Sequence, residues 1–237
     1  MGATLTYLGH STFSVKTPGG KTLFIDPWLE GNPRCPEALK KAAACDVMLI
    51  THGHFDHTSD VIPLAQAHKP QVVGIFELCS FFGGKGVENL NPMSKGGTLE
   101  VAGIKVTLTH AQHSSSLVDD GKAVYAGEPV GFVVEFEDGR RLYHAGDTNI
   151  FGDMRLIAEI YRPELALLPI CGRFTMSPLE AAHACRLMDE SVKKVIPIHY
   201  ATFPLLTGTP EALRKELKGL KLSTEVIALE PGQSHTM

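Results

Sequence analysis

The sequence predicts an α/β fold, and three observations lead there. Short apolar runs of strand length recur along the chain, and several are followed by segments with helical spacing. The order of strands followed by α/β units occurs twice. The chain has 237 residues, 43% hydrophobic and 20% charged, as expected of a soluble globular protein with a sizeable core.

The elements follow in order. "TLTYLGH", "TFSVKT" and "KTLFIDPW" alternate apolar and polar residues and are separated by turn signals such as "PGG", so each is a strand. "PEALKKAAA" (36–44) predicts a short helix, with Pro36 at its start. "DVMLI" (46–50) is continuously apolar, the pattern of a strand buried on both faces. "TSDVIPLAQAHK" (58–69) has helical spacing and "QVVGIF" is a further buried strand, which together make a parallel β-α-β unit.

The second half repeats this logic. "GIKVTLTH" (103–110) is a strand, and "VGFVVEFEDGRRLYHAGDT" is a hairpin turning at "EDGR". "GDMRLIAEIYR" predicts a helix and "ELALLPI" a strand. "SPLEAAHACRLMDE" predicts a helix capped by Ser177, with Pro178 in its first turn and Glu180 completing a capping box. "VKKVIPIHY" is a strand, and "TPEALRKELKG" a helix between Thr209 and Gly219. No linker or low-complexity segment separates the halves, so residues 1–237 read as a single domain. The stretch 114–129 is long for a connection, as lids and binding loops are.

Composition excludes several classes. A net charge of −4 leaves no polyanion footprint, so nucleic acid is not expected as a partner. No apolar run reaches the roughly 18–20 residues of a membrane span. The N-terminus lacks the basic head and apolar stretch of a signal peptide. Five cysteines form no CxxC pair, and the count is odd. A reduced, cytoplasmic protein is therefore expected.

The eleven histidines carry more information, because they cluster. "THGHFDH" places His52, His54, Asp56 and His57 directly after the buried run 46–50. A strand end running into a turn and a helix lets these groups converge on one point. Imidazole and carboxylate are the usual ligands of zinc and related divalent metals. Further candidates also follow apolar runs: His110 and His113 in "THAQHSS", His144 and Asp147 in "LYHAGDT", and His199 in "VIPIHY". Each therefore emerges at a sheet edge, where ligand sites of α/β proteins sit.

HxHxDH, a distant His, GDT and a final His after a buried strand together resemble the metallo-β-lactamase superfamily of metal-dependent hydrolases. "LGHSTF", "FIDPW", "RFTMSPLEAA" and "IPIHY" resemble its small stand-alone branch, related to ascorbate-6-phosphate lactonase and more distantly to N-acyl-phosphatidylethanolamine phospholipase D. The resemblance implies a four-layer αβ/βα sandwich built from two similar halves. It implies two divalent metal ions, with His52, His54 and His113 on the first. Asp56, His57 and His199 would hold the second, and Asp147 would bridge them. The choice of His113 over His110 rests on the following "HSS"; alternation along the strand does not decide it. His10, in the "LGHS" turn, either faces the mouth of the site or is a hydrogen-bonded turn histidine. His144 lines the pocket or packs. Arg173 binds an anionic substrate group or is a plain surface arginine. Cys171 lies near the rim, with no His–Cys pairing readable in the sequence. His68, His183 and His235 read as a helix end, a helix face and a flexible tail.

The implied chemistry is hydrolysis by a metal-bound hydroxide, with Asp56 orienting the nucleophile and Asp147 bridging the ions. His57, where the commonest antibiotic-hydrolysing relatives have none, sets the chain apart from them. It lacks the inserted domain and basic surface of the superfamily's nucleases, and the flavin domain of its flavodiiron proteins. What remains is an enzyme acting on an ester, lactone or phosphodiester of a small soluble metabolite. The ligand types suit zinc, manganese, iron or nickel. The alternatives are a phosphodiesterase acting on a nucleotide or phospholipid, and a metal-binding regulatory protein without turnover. Related enzymes suggest a homo-oligomer.

Overall fold

A computed structural model describes residues 2–237. The first sheet begins with three antiparallel strands, β1 (Thr4–Tyr7), β2 (Phe13–Lys16) and β3 (Thr22–Ile25). It continues in parallel through β4 (Val47–Leu49). The helical turn α1 (Phe55–Thr58) and helix α2 (Val61–His68) then lead to β5 (Gln71–Ile75), parallel to β4. Helix α3 (Phe76–Gly84) precedes β6 (Leu90–Met93), parallel to β5.

The second sheet repeats this pairing pattern. β7 (Thr98–Val101) and β8 (Ile104–His110) are antiparallel. A separate hairpin follows, β9 (Ser116–Asp119) with β10 (Lys122–Tyr125). β11 (Val130–Glu135) pairs antiparallel with both β8 and β12 (Arg141–His144). After α4 (Met154–Tyr161), β13 (Leu165–Pro169) adds in parallel. Helix α5 (Pro178–Leu187) leads to β14 (Lys194–Ile198), and α6 (Pro210–Gly219) to β15 (Glu225–Val226), each parallel to its neighbour. β16 (Ser234–Thr236) returns to pair with β1. Among the described residues each of these two main sheets has seven strands, and the β9–β10 hairpin stands apart.

The period-2 alternation of the central strands explains the layers. Phe132, Val134, Leu142, Leu165, Leu167 and Ile196 pack inward in one core with Leu5, Phe13, Ile25 and Leu49 of the first sheet. Their alternate neighbours Val133, Tyr143, Ala166, Leu168 and Val195 face outward against α4–α6. Val61, Leu64 and Leu78 pack α2 and α3 onto the first sheet. The result is a helix-sheet-sheet-helix sandwich, the metallo-β-lactamase fold.

Local signals hold where their chemistry is complete. The Ser177 side chain accepts from Glu180 N and the Glu180 carboxylate accepts from Ser177 N, so the capping box forms. Thr209 accepts from Ala212 N at the start of α6. The helix expected over 36–44 reduces to a 3-10 turn at Glu37–Leu39, which buries no residue; without an apolar stripe to bury, a helix this short does not hold. His235 lies in β16 opposite Leu5 and not in a loose tail. The stretch 114–129 is largely the β9–β10 hairpin. It turns at Asp120 (φ 47°) and Gly121 (φ 74°), a two-residue turn with both central residues left-handed.

Candidate metal centre

Strand direction gathers the site. β1, β3 and β4 run one way in the first sheet, and β8, β12 and β14 run one way in the second. His10 follows β1, Asp26 follows β3, and His52 to His57 follow β4. His113 follows β8, Asp147 follows β12 and His199 follows β14. Every group thus leaves a C-terminal strand end, at one edge of each sheet. Backbone hydrogen bonds join those edges: Val130 N donates to Thr51 O (2.9 Å), and His199 N to His10 O (2.8 Å). Gly53 permits the approach, since a Cβ there would lie 2.5 Å from Ala126 Cβ.

Three of these residues are held left-handed without being glycine: His10 (φ 61°), Asp26 (φ 48°) and His199 (φ 56°). Such conformations are strained, and they cluster at sites where side-chain direction matters. All three side chains are buried and directed into the cluster.

Among the described residues the ligand atoms fall into two separate sets, linked by Asp26, which stands within 4.8 Å of His52 in one and His57 in the other. His52, His54 and His113 bring one ring nitrogen each within 4.8 Å of one another, and His10, Asp56, His57 and His199 do the same. His52 Nε2 and His54 Nδ1 stand 2.9 Å apart. Asp147 lies between the sets: Oδ2 is 4.0 Å from His52 Nε2, 3.6 Å from His113 Nε2 and 2.9 Å from His199 Nε2. Its Oδ1 is 3.5 Å from His57 Nε2. Asp56 Oδ2 is 3.9 Å from His57 Nε2 and 3.8 Å from His199 Nε2.

Three candidates lie differently. His110 is exposed, 3.1 Å from Lys95 Nζ and edge-on to Phe151, so the structure brings His113 and not His110 into the cluster. His144 is buried outside the cavity wall; its Nε2 is 3.4 Å from Ser11 O and its Nδ1 accepts from Gly146 N. Arg173 is exposed over the Phe174 ring and does not line the cavity. Neither residue is among those lining the cavity, where a substrate contact would be expected. His10 is a buried turn residue, as one reading of it has, and it also touches the cluster: Nε2 is 2.9 Å from Asp56 Oδ2. The carboxylate only accepts, so Nε2 carries the proton. On its other side Nδ1 lies 2.9 Å from Thr202 Oγ1.

Asp26 was not singled out from the sequence, although "FIDPW" contains it. It is wholly buried and accepts from Thr51 N (2.8 Å), Thr51 Oγ1 (2.7 Å) and His57 Nδ1 (2.8 Å). The Thr51 hydroxyl proton is thereby committed, so Thr51 Oγ1 accepts from His52 Nδ1–H at 3.0 Å. One carboxylate thus fixes two rings with Nε2 facing the cluster. Another unforeseen contact involves Cys171, whose sulfur accepts from Phe174 N, Thr175 N and Thr175 Oγ1. Burial alone would raise this thiol, but His199 and these donors bring it down to about 7.

Charge is strongly redistributed here. Burial opposes the charge on Asp147, yet His199 and His57 hold it well below the usual carboxylate range. Burial likewise opposes protonation of His57, but Asp147, Asp26 and Asp56 raise it well above an ordinary histidine. His199 rises to about 10, because Asp147 outweighs its burial. His10 falls to about 4, through burial and the neighbouring His199. Burial also lowers His52, His54 and His113.

The donor set fits a divalent transition metal. His57 Nε2 and Asp147 Oδ1 are buried 3.5 Å apart and, among the described residues, neither makes a hydrogen bond, so charge attraction alone links two groups that rarely go without one. A cation between them would satisfy both. The cluster opens into a cavity of about 820 Å³ with His54, Asp56, His113, Asp147 and His199 at its base.

The beta-lactamase superfamily domain matches residues 21–200. A UPF0173 metal-dependent hydrolase of Rubrobacter xylanophilus is 53% identical over 233 residues, covering 98% of this chain and 96% of that one. One from Methanopyrus kandleri is 46% identical over 231 residues, covering 98% of each. The solved structure of Igni18, a metallo hydrolase of Ignicoccus hospitalis, superposes with TM-score 0.87 at 33% identity, covering 99% of this chain and 98% of that one. The chain belongs to the UPF0173 metal-dependent hydrolase family of the beta-lactamase superfamily.

Proposed function

We propose that this protein is a hydrolase with a two-metal centre that cleaves an ester or lactone. In this reading His52, His54 and His113 would hold one ion, Asp56, His57 and His199 would hold the other, and Asp147 would contribute to both. The observation that carries it is the position of Asp147, whose carboxylate reaches the nitrogens of both sets. Family membership supports hydrolysis, and the similar pairing pattern of the two sheets supports one domain built from two similar halves.

A bound divalent metal supplies Lewis acidity and water activation at neutral pH. The chain's own residues set the conditions for it. Asp26 and Thr51 engage Nδ1 of His57 and His52, so that Nε2 is the nitrogen each ring turns to the cluster. His10 Nε2–H holds the Asp56 carboxylate at the cavity base, where it can orient a nucleophile. The ionised state of Asp56 is secure, because His57 and His10 outweigh its burial. No serine or cysteine nucleophile is needed.

The test pairs metal content by plasma mass spectrometry, on protein purified without chelator or histidine tag, with hydrolysis of lactones, aryl esters and bis-p-nitrophenyl phosphate. About two metal equivalents, as a two-metal site requires, together with ester or lactone turnover, support the proposal. Turnover of the phosphodiester alone would replace it with a phosphodiesterase. A fully loaded protein inactive on all three would replace it with a metal-binding regulator.

A further inference from the structure

The cavity above the cluster has walls of a definite chemistry. Ile62 of α2, Phe81 of α3 and Leu206 line it. Phe55, Val118 and Phe174 also line it, and they are 61%, 74% and 51% exposed. Large apolar side chains left to solvent around one opening mark a surface that is covered in use. Among the described lining residues the one lysine or arginine is Lys85, and its Nζ is already 2.7 Å from Asp119 Oδ1. A phosphate or carboxylate remote from the cluster would find no free cation there. The volume, about 820 Å³, lies toward the upper end of the roughly 300–1,000 Å³ that hold drug-sized ligands, far more than a small polar metabolite fills.

Resting on the hydrolase reading above, we infer that the substrate is an ester or lactone carrying a long apolar acyl chain. The carbonyl lies at the cluster and the chain runs between α2, α3 and the β9–β10 hairpin. Hydrolysis adds water across the acyl C–O bond. The carbonyl carbon gains the hydroxyl, the leaving oxygen gains the proton, and no redox partner is needed. The apolar walls then hold the chain of the fatty acid product. The expectation of a small soluble metabolite gives way to an amphiphile on this reading.

The test has two arms, both on the metal-reconstituted protein and below the critical micelle concentration. In the first, kcat/KM is measured for p-nitrophenyl esters from acetate to dodecanoate. Apolar burial of about 0.8 kcal/mol per CH2 corresponds to about a fourfold gain per methylene, so a rise of about two- to fourfold per CH2 is expected until the cavity is full. In the second, calorimetry measures binding of butanoate, octanoate and decanoate, and Kd should fall along the series. Val118→Asp, at an exposed position, should flatten both trends, and Phe174→Ser should weaken them. Ester turnover with no chain dependence in either arm overturns the inference and leaves the hydrolase reading intact. Chain-dependent binding without turnover of any ester overturns the hydrolase reading and keeps the apolar-chain site.

Discussion

His57 Nδ1 lies 2.8 Å from Asp26 Oδ2, and both side chains are fully buried. The same carboxylate takes the hydroxyl and the amide of Thr51, so it holds the strand end that bears His52 as well as the ring of His57. Asp26→Asn keeps the size of the side chain but puts an amide where two donors converge. Metal affinity or activity should fall about 10- to 100-fold, the usual effect of losing a group that orients a ligand. Metal titration of a variant with native circular dichroism checks this. An unchanged affinity would remove Asp26 from the metal argument.

His54→Ala and His68→Ala separate ligand from bystander. His54 contributes to a three-histidine set, whereas His68 ends α2 away from any cluster. The first variant should lose metal at its site and abolish hydrolysis, and the second should do neither. Equal behaviour in metal content and turnover would contradict the assignment. The pair His113→Ala and His110→Ala should split in the same way.

Gly53→Ala tests the close approach of the two sheet edges. The added methyl would meet Ala126 Cβ at 2.5 Å and the Ser116 carbonyl at 3.1 Å. Overpacking of this kind costs about 1–3 kcal/mol, which in a chain of this size lowers Tm by roughly 2–4 °C per kcal/mol. The β9–β10 hairpin would have to move, so a melt indistinguishable from the native protein would mean that the hairpin yields freely.

Much of this architecture was legible because the signals were local. "SPLEAA" contains every partner of its own cap, and "DVMLI" is buried on both faces as its composition demands. The ligand motif was legible because its spacing brings together groups with no other common use. What escaped depended on distant contacts. Asp26 acquires its role from Thr51 and His57, 25 and 31 residues away. His235 becomes a strand residue only because β1 offers an edge. Helix α3 follows β5 without a break, so the apolar run through "QVVGIFELCSFF" hid the change of period. The hairpin at 116–125 did carry a readable Asp-Gly signal, and its strands are merely short.

The protonation pattern yields the last prediction. His57 and His199 are raised in the folded, metal-free protein, the latter to about 10. Groups raised on folding stabilise fully below the unfolded histidine value, about 6.5, and that contribution is lost as pH rises through the folded value. His10 is lowered to about 4, and His52, His54 and His113 are lowered too, so stability is lost as pH falls below about 6.5 toward their folded values. Metal-free protein should therefore be most stable near the unfolded histidine value and weaken toward pH 10. Metal must displace the Nε2 protons of His57 and His199, so binding at pH 7 should release about two protons. The loaded protein should then keep its stability between pH 7 and 10. Calorimetric titration in buffers of different ionisation enthalpy reads the proton count, and thermal melts across pH read the stability. Heats independent of buffer would mean that these two histidines are already neutral, and the ion-pair account of the metal-free cluster would fall.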